Sequence, residues 1–420
     1  MTTAYREMQR LLSLEISVTQ LGLHGANTQN GVLMGGWRWR WRLGGWLAWG
    51  YGLALTSFLV VRGRLCDAQM PLAAALNSGL HLLLKPALVL LPLAILGRRG
   101  VLTVLLAAPA AEYVRVYAGT ILRRVAPHAG QQGVRFLTYN VHAEEDVLDP
   151  QITLICQADA DVVALQELSF PAAKRFAAAL SARYPYQALH PNAQPCSGQG
   201  ILSRFPIRAD EYWQHVDIRN ALGHQRAIID LDGRSIVLYN VHPVHPGMVD
   251  MIYDAAPRAA EVTRLLERIA AETLPVILAG DFNMSDQSDD YRRITARLKD
   301  AFRQAGRGLG YTFPDWSAPQ SRSVVNGLPL GFVPPLVRLD YVFHNPTMRV
   351  IDARVWPESG GSDHRPLLVT LDIEDCLPTA PNGECHVERA SPGARCPGSR
   401  AGSGNAPVRW RIHHAAASRT

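Results

Sequence analysis

Lysine is scarce in the larger half of this chain: between residues 134 and 374 only Lys174 and Lys299 occur. No stretch there interleaves cations with aromatics. A groove that grips a nucleic-acid backbone needs such cations in number, so a nucleic-acid substrate is disfavoured. The six cysteines (Cys66, Cys156, Cys196, Cys376, Cys385 and Cys396) include no CxxC pair, which argues against a zinc site. The last three fall in the tail, where a disulfide after export and free thiols both fit the sequence. Residues 1–36 lack a sustained apolar period and read as a dispensable extension, with Met34 an alternative start. From Cys376 onward the chain is rich in Pro, Gly, Ser, Ala and Arg and has no periodic apolar face. That predicts a disordered tail over 375–420. The net charge of +6 is modest, and much of the arginine excess lies beside apolar runs and in the tail.

Charge is absent altogether from Leu43 to Val61. A bilayer-crossing helix needs roughly 20 such residues. The run Trp37 to Arg42 before it alternates tryptophan with arginine, which suits the headgroup zone, and Arg62 and Arg64 end it. Two further apolar runs follow, about Leu80–Leu96, interrupted by Lys85-Pro86, and about Val101–Val114, weakened by Pro109 and Glu112. A cleavable signal peptide fits poorly, because the first run is too long and others follow it. The sequence therefore predicts a membrane anchor of two or three helices over 37–120 and a linker over 121–133. A soluble helical hairpin is the alternative for the second and third runs.

Residues 134–374 alternate short apolar strands with helical stretches. Strands are expected at Val134–Tyr139, Val162–Gln166, Ile236–Asn240, Val276–Ala279, Tyr341–His344 and Leu367–Leu371, and helices at Ala172–Ser181 and Pro257–Glu272. Polar residues stand at the ends of these strands: Asn140, Glu167, His242, Asp281 with Asn283, Asp340, and Asp363-His364. Singly, each reads as a turn former or helix cap. Together, strand ends of an α/β layer converge on one edge and can share a cleft. Oxygen donors such as Glu167, Asn140 and Asp363 favour a hard cation like Mg²⁺, with Mn²⁺ a substitute. Such an ion, with a histidine and an amide donor, suits a phosphate ester, whose negative charge repels hydroxide.

The segments TYNVH, DVVALQE, GILSRFPI, YNVHPVHP, GDFN, LDYVF and GSDHRP occur in that order. In this order they resemble the endonuclease/exonuclease/phosphatase (DNase I-like) superfamily, and in their setting its bacterial membrane-anchored members. The resemblance covers 134–374 and implies a four-layer α/β/β/α sandwich preceded by the transmembrane helices. It implies Glu167 as principal metal ligand, with Asn140 beside it at metal and phosphate and Asp363 auxiliary. It implies His242 as a donor to the phosphoryl group, Asp281 as the residue that orients or deprotonates water, and Asn283 as a phosphate holder. Asp340 and His364 resemble the family's paired carboxylate and imidazole. Gln199 departs from the asparagine common at its position but retains an amide for substrate contact, and Arg226 is a second substrate-contact candidate. His245 reads as a rim residue.

The implied activity is a membrane-anchored, metal-dependent phosphoesterase acting on a mono- or diester, with a lipid-linked pyrophosphate as one substrate. A tethered nuclease and a non-catalytic scaffold are the alternatives, and no protein partner can be inferred. Arg38, Arg40, Arg42 and the pair Arg98-Arg99 favour the cytoplasmic side, so three helices would leave residues 134–374 outside the cytoplasm of an inner-membrane protein. Arg62, Arg64, Arg115, Arg123 and Arg124 argue for the opposite orientation.

Overall fold

A computed structural model describes residues 30–123, 133–142, 148–246, 253–315, 324–325, 328–329 and 335–373. The expected N-terminal extension up to residue 29, the middle of the linker and the tail from 374, with its three cysteines, lie outside the described residues.

Four helices come first: α1 (Asn30–Val61), α2 (Pro71–Leu83), α3 (Lys85–Leu96) and α4 (Gly100–Ile121). The first apolar run lies within α1. The second is broken between α2 and α3, which bend by 59° where Pro86 begins the new helix. The third extends past its expected end to Ile121, so the helix takes in part of the expected linker. By length and composition alone, α4 can cross a bilayer, and the bent pair α2–α3 can form a second span.

Helices α1 and α4 run parallel. A Cβ at Gly45 would meet Arg99, one at Gly52 would meet Leu105 and Leu106, the Thr56 hydroxyl donates to the Leu105 carbonyl at 2.6 Å, and Arg62 stands 3.6 Å from Glu112. Both numbers of each pair rise together. The α2–α3 pair therefore carries the chain back from the far end of α1 to the start of α4, packing Leu80 and Leu84 on Leu55 and Tyr113, and Ala94 on Leu102.

The remainder is two six-stranded sheets. The first has the order β13-β14-β1-β2-β4-β3, from β1 (Val134–Asn140), β2 (Val162–Gln166), β3 (Tyr186–His190), β4 (Gln199–Ser203), β13 (Arg349–Val355) and β14 (Leu367–Asp372). The second has the order β5-β6-β7-β8-β12-β9, from β5 (Ile207–Gln214), β6 (Gly223–Leu231), β7 (Arg234–Val241), β8 (Val276–Asp281), β9 (Lys299–Asp300) and β12 (Asp340–His344). A small pair, β10 (Val324–Val325) and β11 (Leu328–Pro329), stands apart.

The strands alternate their faces, and each face is buried. Phe136, Val162 and Ile201 of the first sheet meet Ile229, Leu238, Ile277 and Val342 of the second in one core. The outer face of the first sheet is covered by α5 (Leu148–Ala158) and α6 (Phe170–Leu180), through contacts such as Val163 and Leu165 on Ile155 and Phe176. The outer face of the second is covered by α7 (Ala256–Ala270), with Tyr239 and Leu278 on Val262 and Leu266. Of two short helices, α8 (Asp289–Thr295) joins this outer layer through Ile294, whereas α9 (Ala301–Ala305) puts Ala301 and Phe302 into the core between the sheets. The result is the expected four-layer α/β/β/α sandwich. All six expected strands form, and β3 to β6, β9 to β11 and β13 are additional.

Candidate functional site

Each sheet sends its parallel strands to the same edge. Strands β1 and β2 pair in parallel, as do β7 and β8, so Asn140, Glu167, His242 and Asp281 all emerge at C-terminal strand ends. Strand β12 runs antiparallel to β8 with Asp340 opposite Asp281, and β14 runs antiparallel to β1, so Asp340 and His364 reach that edge from N-terminal starts. The local backbone is strained at three of these positions: Glu167 (φ 60°), Asn283 (φ 50°) and His142 (φ 37°) are all left-handed. Gly280 (φ 148°) is fixed by crowding, since a Cβ there would lie 1.9 Å from the Val241 carbonyl oxygen.

Asn140 joins the two sheets chemically. Its fully buried amide donates to Glu167 Oε1 at 2.9 Å and to Asp281 Oδ2 at 3.0 Å, and its oxygen accepts from the His142 backbone N–H at 3.0 Å. Asp281 Oδ2 is the centre of the site, 3.5 Å from both His242 Nε2 and His364 Nε2. The His364 Nδ1 faces Asp340 Oδ2 at 2.9 Å. The His242 Nδ1 faces the Cys196 carbonyl at 2.9 Å, so that nitrogen donates and Nε2 points at the carboxylates. Asn283 receives its own restraint, its N–H donating to Asp281 Oδ1 at 2.9 Å and its amide to the Pro243 carbonyl at 3.0 Å.

Electrostatics divide these groups. Burial pushes the Glu167 carboxyl up, but the hydrogen bond from His142 and the charges of His242 and His142 outweigh it and hold it at about 2. Burial pushes His364 down, yet the charges of Asp340 and Asp281 raise it well above an ordinary imidazole. Asp340 itself is raised by burial, which the charge of His364 opposes. The site thus holds a permanent carboxylate beside a protonated imidazole.

Two groups of ligand atoms lie within 4.8 Å of one another: Glu167, His242 and Asp281, and Asp281, Asp340 and His364. Asp363 Oδ1 is buried without a hydrogen-bond partner. A buried carboxylate oxygen left so, next in sequence to His364, is what an oxygen-seeking cation would satisfy, and the carboxylates and imidazoles of the two groups fit such an ion.

A family model described as the endonuclease/exonuclease/phosphatase family matches residues 137–364. The chain belongs to that family. The match contains every residue of the cleft, and the sandwich is the family's DNase I-like fold. The endonuclease/exonuclease/phosphatase family comprises hydrolytic, metal-dependent phosphoesterases and nucleases. A UPF0294 protein of Vibrio parahaemolyticus, VP2298, is 30% identical over 187 residues, which are 43% of this chain and 57% of the relative. The chain thus matches just over half the length of that relative. Among solved structures, a family member from Bacteroides vulgatus aligns over 58% of this chain and 99% of its own, at 20% identity and a TM-score of 0.47. A mannosyl-6-phosphatase of Bacteroides thetaiotaomicron aligns over 57% of this chain and 99% of its own, at 17% identity and a TM-score of 0.44.

Of the residues the sequence singles out, Asn140, Glu167, His242, Asp281, Asn283, Asp340 and His364 share the cleft, and Asp363 adjoins it. Two expectations need correction. Gln199 is fully buried within β4, and its amide donates to the Gly223 carbonyl at 2.8 Å, so it does not reach substrate. Arg226 lies opposite Tyr239, and both side chains reach Glu272 on the side covered by α7; the guanidinium is held by Glu272 at 2.6 and 2.8 Å. The pleat that sends Asn240 inward sends these outward. His245 is exposed, as a rim residue would be. His142, 3.1 Å from Glu167, belongs to the site and was not singled out. Its signal was present as the last letter of TYNVH, but the left-handed turn that aims it was not. Phe313, whose ring lies 4.8 Å from that of His364 and tilted 43° to it, carries no sequence signal.

Proposed function

We propose that this chain is a membrane-embedded, Mg²⁺-dependent phosphoesterase acting on a phosphate or pyrophosphate ester carried by a lipid. The observation that carries the reading is that the helical segment packs on the loops that flank site residues. Ser285, two residues past Asn283, donates to the Asn77 carbonyl of α2 at 3.2 Å. His81 of the same helix contacts the Leu336 carbonyl at 2.8 Å, four residues before Asp340, and the ring of Tyr311, two residues before Phe313. Asp67 and Asp289 exchange reciprocal N–H to carboxylate bonds at 2.7 and 2.8 Å. An ester presented at the level of these helices meets the cleft directly.

The exposed surface supports a bilayer around the helices. Trp46, Leu53, Val60, Leu72, Leu93 and Val104 are among many large apolar side chains left exposed between residues 46 and 122, whereas in the described catalytic domain the exposed ones are Phe170, Tyr186 and Val216. The parallel course of α1 and α4, with α2–α3 between them, fits three crossings. The Arg98-Arg99 turn then lies at the end of the bundle opposite the catalytic domain, which favours an extracytoplasmic catalytic site.

In the reaction, Glu167 and Asp363 would hold the cation, with the Asn140 amide tying Glu167 to Asp281. A cation there supplies charge neutralisation on a nonbridging phosphoryl oxygen. Asp281 accepts the proton of the attacking water. Asp340 orients the His364 ring through Nδ1 and favours its protonated form, so that Nε2–H donates to developing negative charge. His242, anchored through Nδ1, donates from Nε2 to the phosphoryl group or leaving oxygen.

The full chain in detergent should hydrolyse a polyprenyl pyrophosphate with Mg²⁺, should be silenced by EDTA, and should act on that lipid faster than on bis-p-nitrophenyl phosphate or plasmid DNA. Preferred cleavage of the plasmid would replace this reading with a tethered nuclease. A fusion placed after Gly133 tests the side: alkaline phosphatase activity is expected, and fluorescence from a reporter that folds only in the cytoplasm would overturn the external placement.

A further inference from the structure

A groove of about 400 Å³ runs between α1 and α4 near the end that meets the catalytic domain. Leu59 and Val60 form one wall, and Ala108 and Ala111 form the other. Small residues opposite large ones leave a slot wide enough for a hydrocarbon chain. Arg62, Glu112 and Arg115 close its polar end.

Glu112 accepts two hydrogen bonds from Arg115, at 2.6 and 2.8 Å, and stands 3.6 Å from Arg62. Arg62 and Arg115 thus meet at Glu112, and the next charges along are Asp289 and its partner Arg292. Arg62 Nη2 donates to Gln287 Oε1 at 3.4 Å, while Nη1 is buried with no hydrogen-bond partner. A guanidinium is always charged, and a buried donor without an acceptor is costly. Arg62 also directly follows the uncharged run that ends at Val61, the depth at which lipid phosphates lie.

We propose that this groove binds one anionic phospholipid, its acyl chain between α1 and α4 and a phosphate oxygen on Arg62 Nη1, with Arg115 beside it. Basic pockets between membrane helices recognise lipid head groups through such charge-assisted contacts. The proposal rests on the membrane reading above and is independent of the catalytic assignment. Its position gives it a consequence. Gln287 lies four residues past Asn283, so the bound lipid adjoins the loop that follows the catalytic strand end.

The test uses the full chain in nanodiscs of equal phosphatidylcholine and phosphatidylglycerol, released into detergent and weighed by native mass spectrometry. One phosphatidylglycerol should be retained in preference to phosphatidylcholine. Arg62→Gln should lower that preference about tenfold, the weight of one charge-assisted hydrogen bond. Ala111→Trp should expel the lipid while leaving both arginines in place, and Arg64→Gln should change nothing. Equal retention of the two lipids, retention of phosphatidylglycerol by Arg62→Gln, or its displacement by inorganic phosphate would each overturn the proposal. Hydrolysis of bis-p-nitrophenyl phosphate by Ala111→Trp, measured alongside, should match the wild type. A wild-type chain that retains the lipid yet hydrolyses nothing would count against the enzymatic reading alone.

Discussion

Replacing Asp286 by asparagine should loosen the helical segment from the catalytic domain. Asp286 Oδ1 accepts from the Tyr117 hydroxyl of α4 at 3.0 Å, and Oδ2 accepts from Arg303, whose Nη1 also reaches the Val116 carbonyl at 2.5 Å. Arg338 stands 3.8 Å away. Burial pushes the Asp286 carboxyl up, but Arg303 and Arg338 hold it below the ordinary carboxylate range. A depressed carboxyl adds stability that is present above its unfolded value, near 3.9, and lost as pH falls through the folded one. The amide removes that charge at neutral pH. Arg338 keeps Asp300 at 2.6 Å, so the loss falls mainly on Arg303. Removing one partner of a buried ion pair costs about 3–5 kcal/mol, and partial exposure of Arg303 sets the lower end, about 3 kcal/mol. For a folded body of this size that lowers Tm by about 6–12 °C. The assay is thermal unfolding of the full chain in detergent, followed by near-ultraviolet circular dichroism. Tyr117→Phe should cost about 1.5–3 kcal/mol in the wild type, where the acceptor is charged, and about 0.5–1.5 kcal/mol beside Asn at 286. A Tm within about 2 °C of wild type for Asp286→Asn, or equal costs of Tyr117→Phe in both backgrounds, would refute the coupling.

Glu167→Gln keeps the side chain's shape but removes its charge, so calorimetric Mg²⁺ affinity should fall at least about tenfold; unchanged binding would remove Glu167 from the metal site. Asp281→Asn should cut kcat by about 10²–10⁴ with the circular dichroism spectrum intact, and full activity would place the base elsewhere. Asp340→Asn removes the charge that raises His364. The stability from that pair is complete below about pH 6.5 and is lost as pH rises through the raised folded value, so wild type and variant should differ most in acid. The alkaline limb of the kcat profile should move to lower pH, and an unmoved limb would sever the pair from catalysis. Gly280→Ala would force a Cβ onto the Val241 carbonyl, and a large loss of Tm or of folded chain in detergent is expected; a wild-type Tm would contradict the close approach.

The catalytic edge was legible because strand ends in this fold are written as short apolar runs that close on one or two polar residues. Leu165-Gln166-Glu167 and Ala279-Gly280-Asp281 are such endings, and the structure places both at the same edge. What one strand pattern could not show is which face a neighbour's side chain takes. Arg226 and Gln199 sit on strands beside the site, yet pleat and burial direct them into structural bonds with Glu272 and Gly223. His142 was hidden for a different reason: its contact with Glu167 depends on two left-handed residues, and a φ angle is not read from letters. Phe313 depends on tertiary packing across strands distant in sequence.

The helical half shows the same limit in its charges. Counted along the chain, the arginines near Val61 and Ile121 oppose an external catalytic domain as strongly as Arg98-Arg99 support it. In space they differ. Arg115 is bound to Glu112, and Arg123 donates to the Gly306 and Arg303 carbonyls at 2.9 and 3.0 Å. Arg62 reaches both Glu112 and Gln287. These cations are held by protein groups where two folded layers meet, so each counts for less as a free topogenic charge. For Arg98 and Arg99, at the opposite end of the bundle, no side-chain bond to the catalytic domain is seen among the described residues. A positive-inside count therefore has to weigh each arginine by what holds it in space, which the order of letters does not carry.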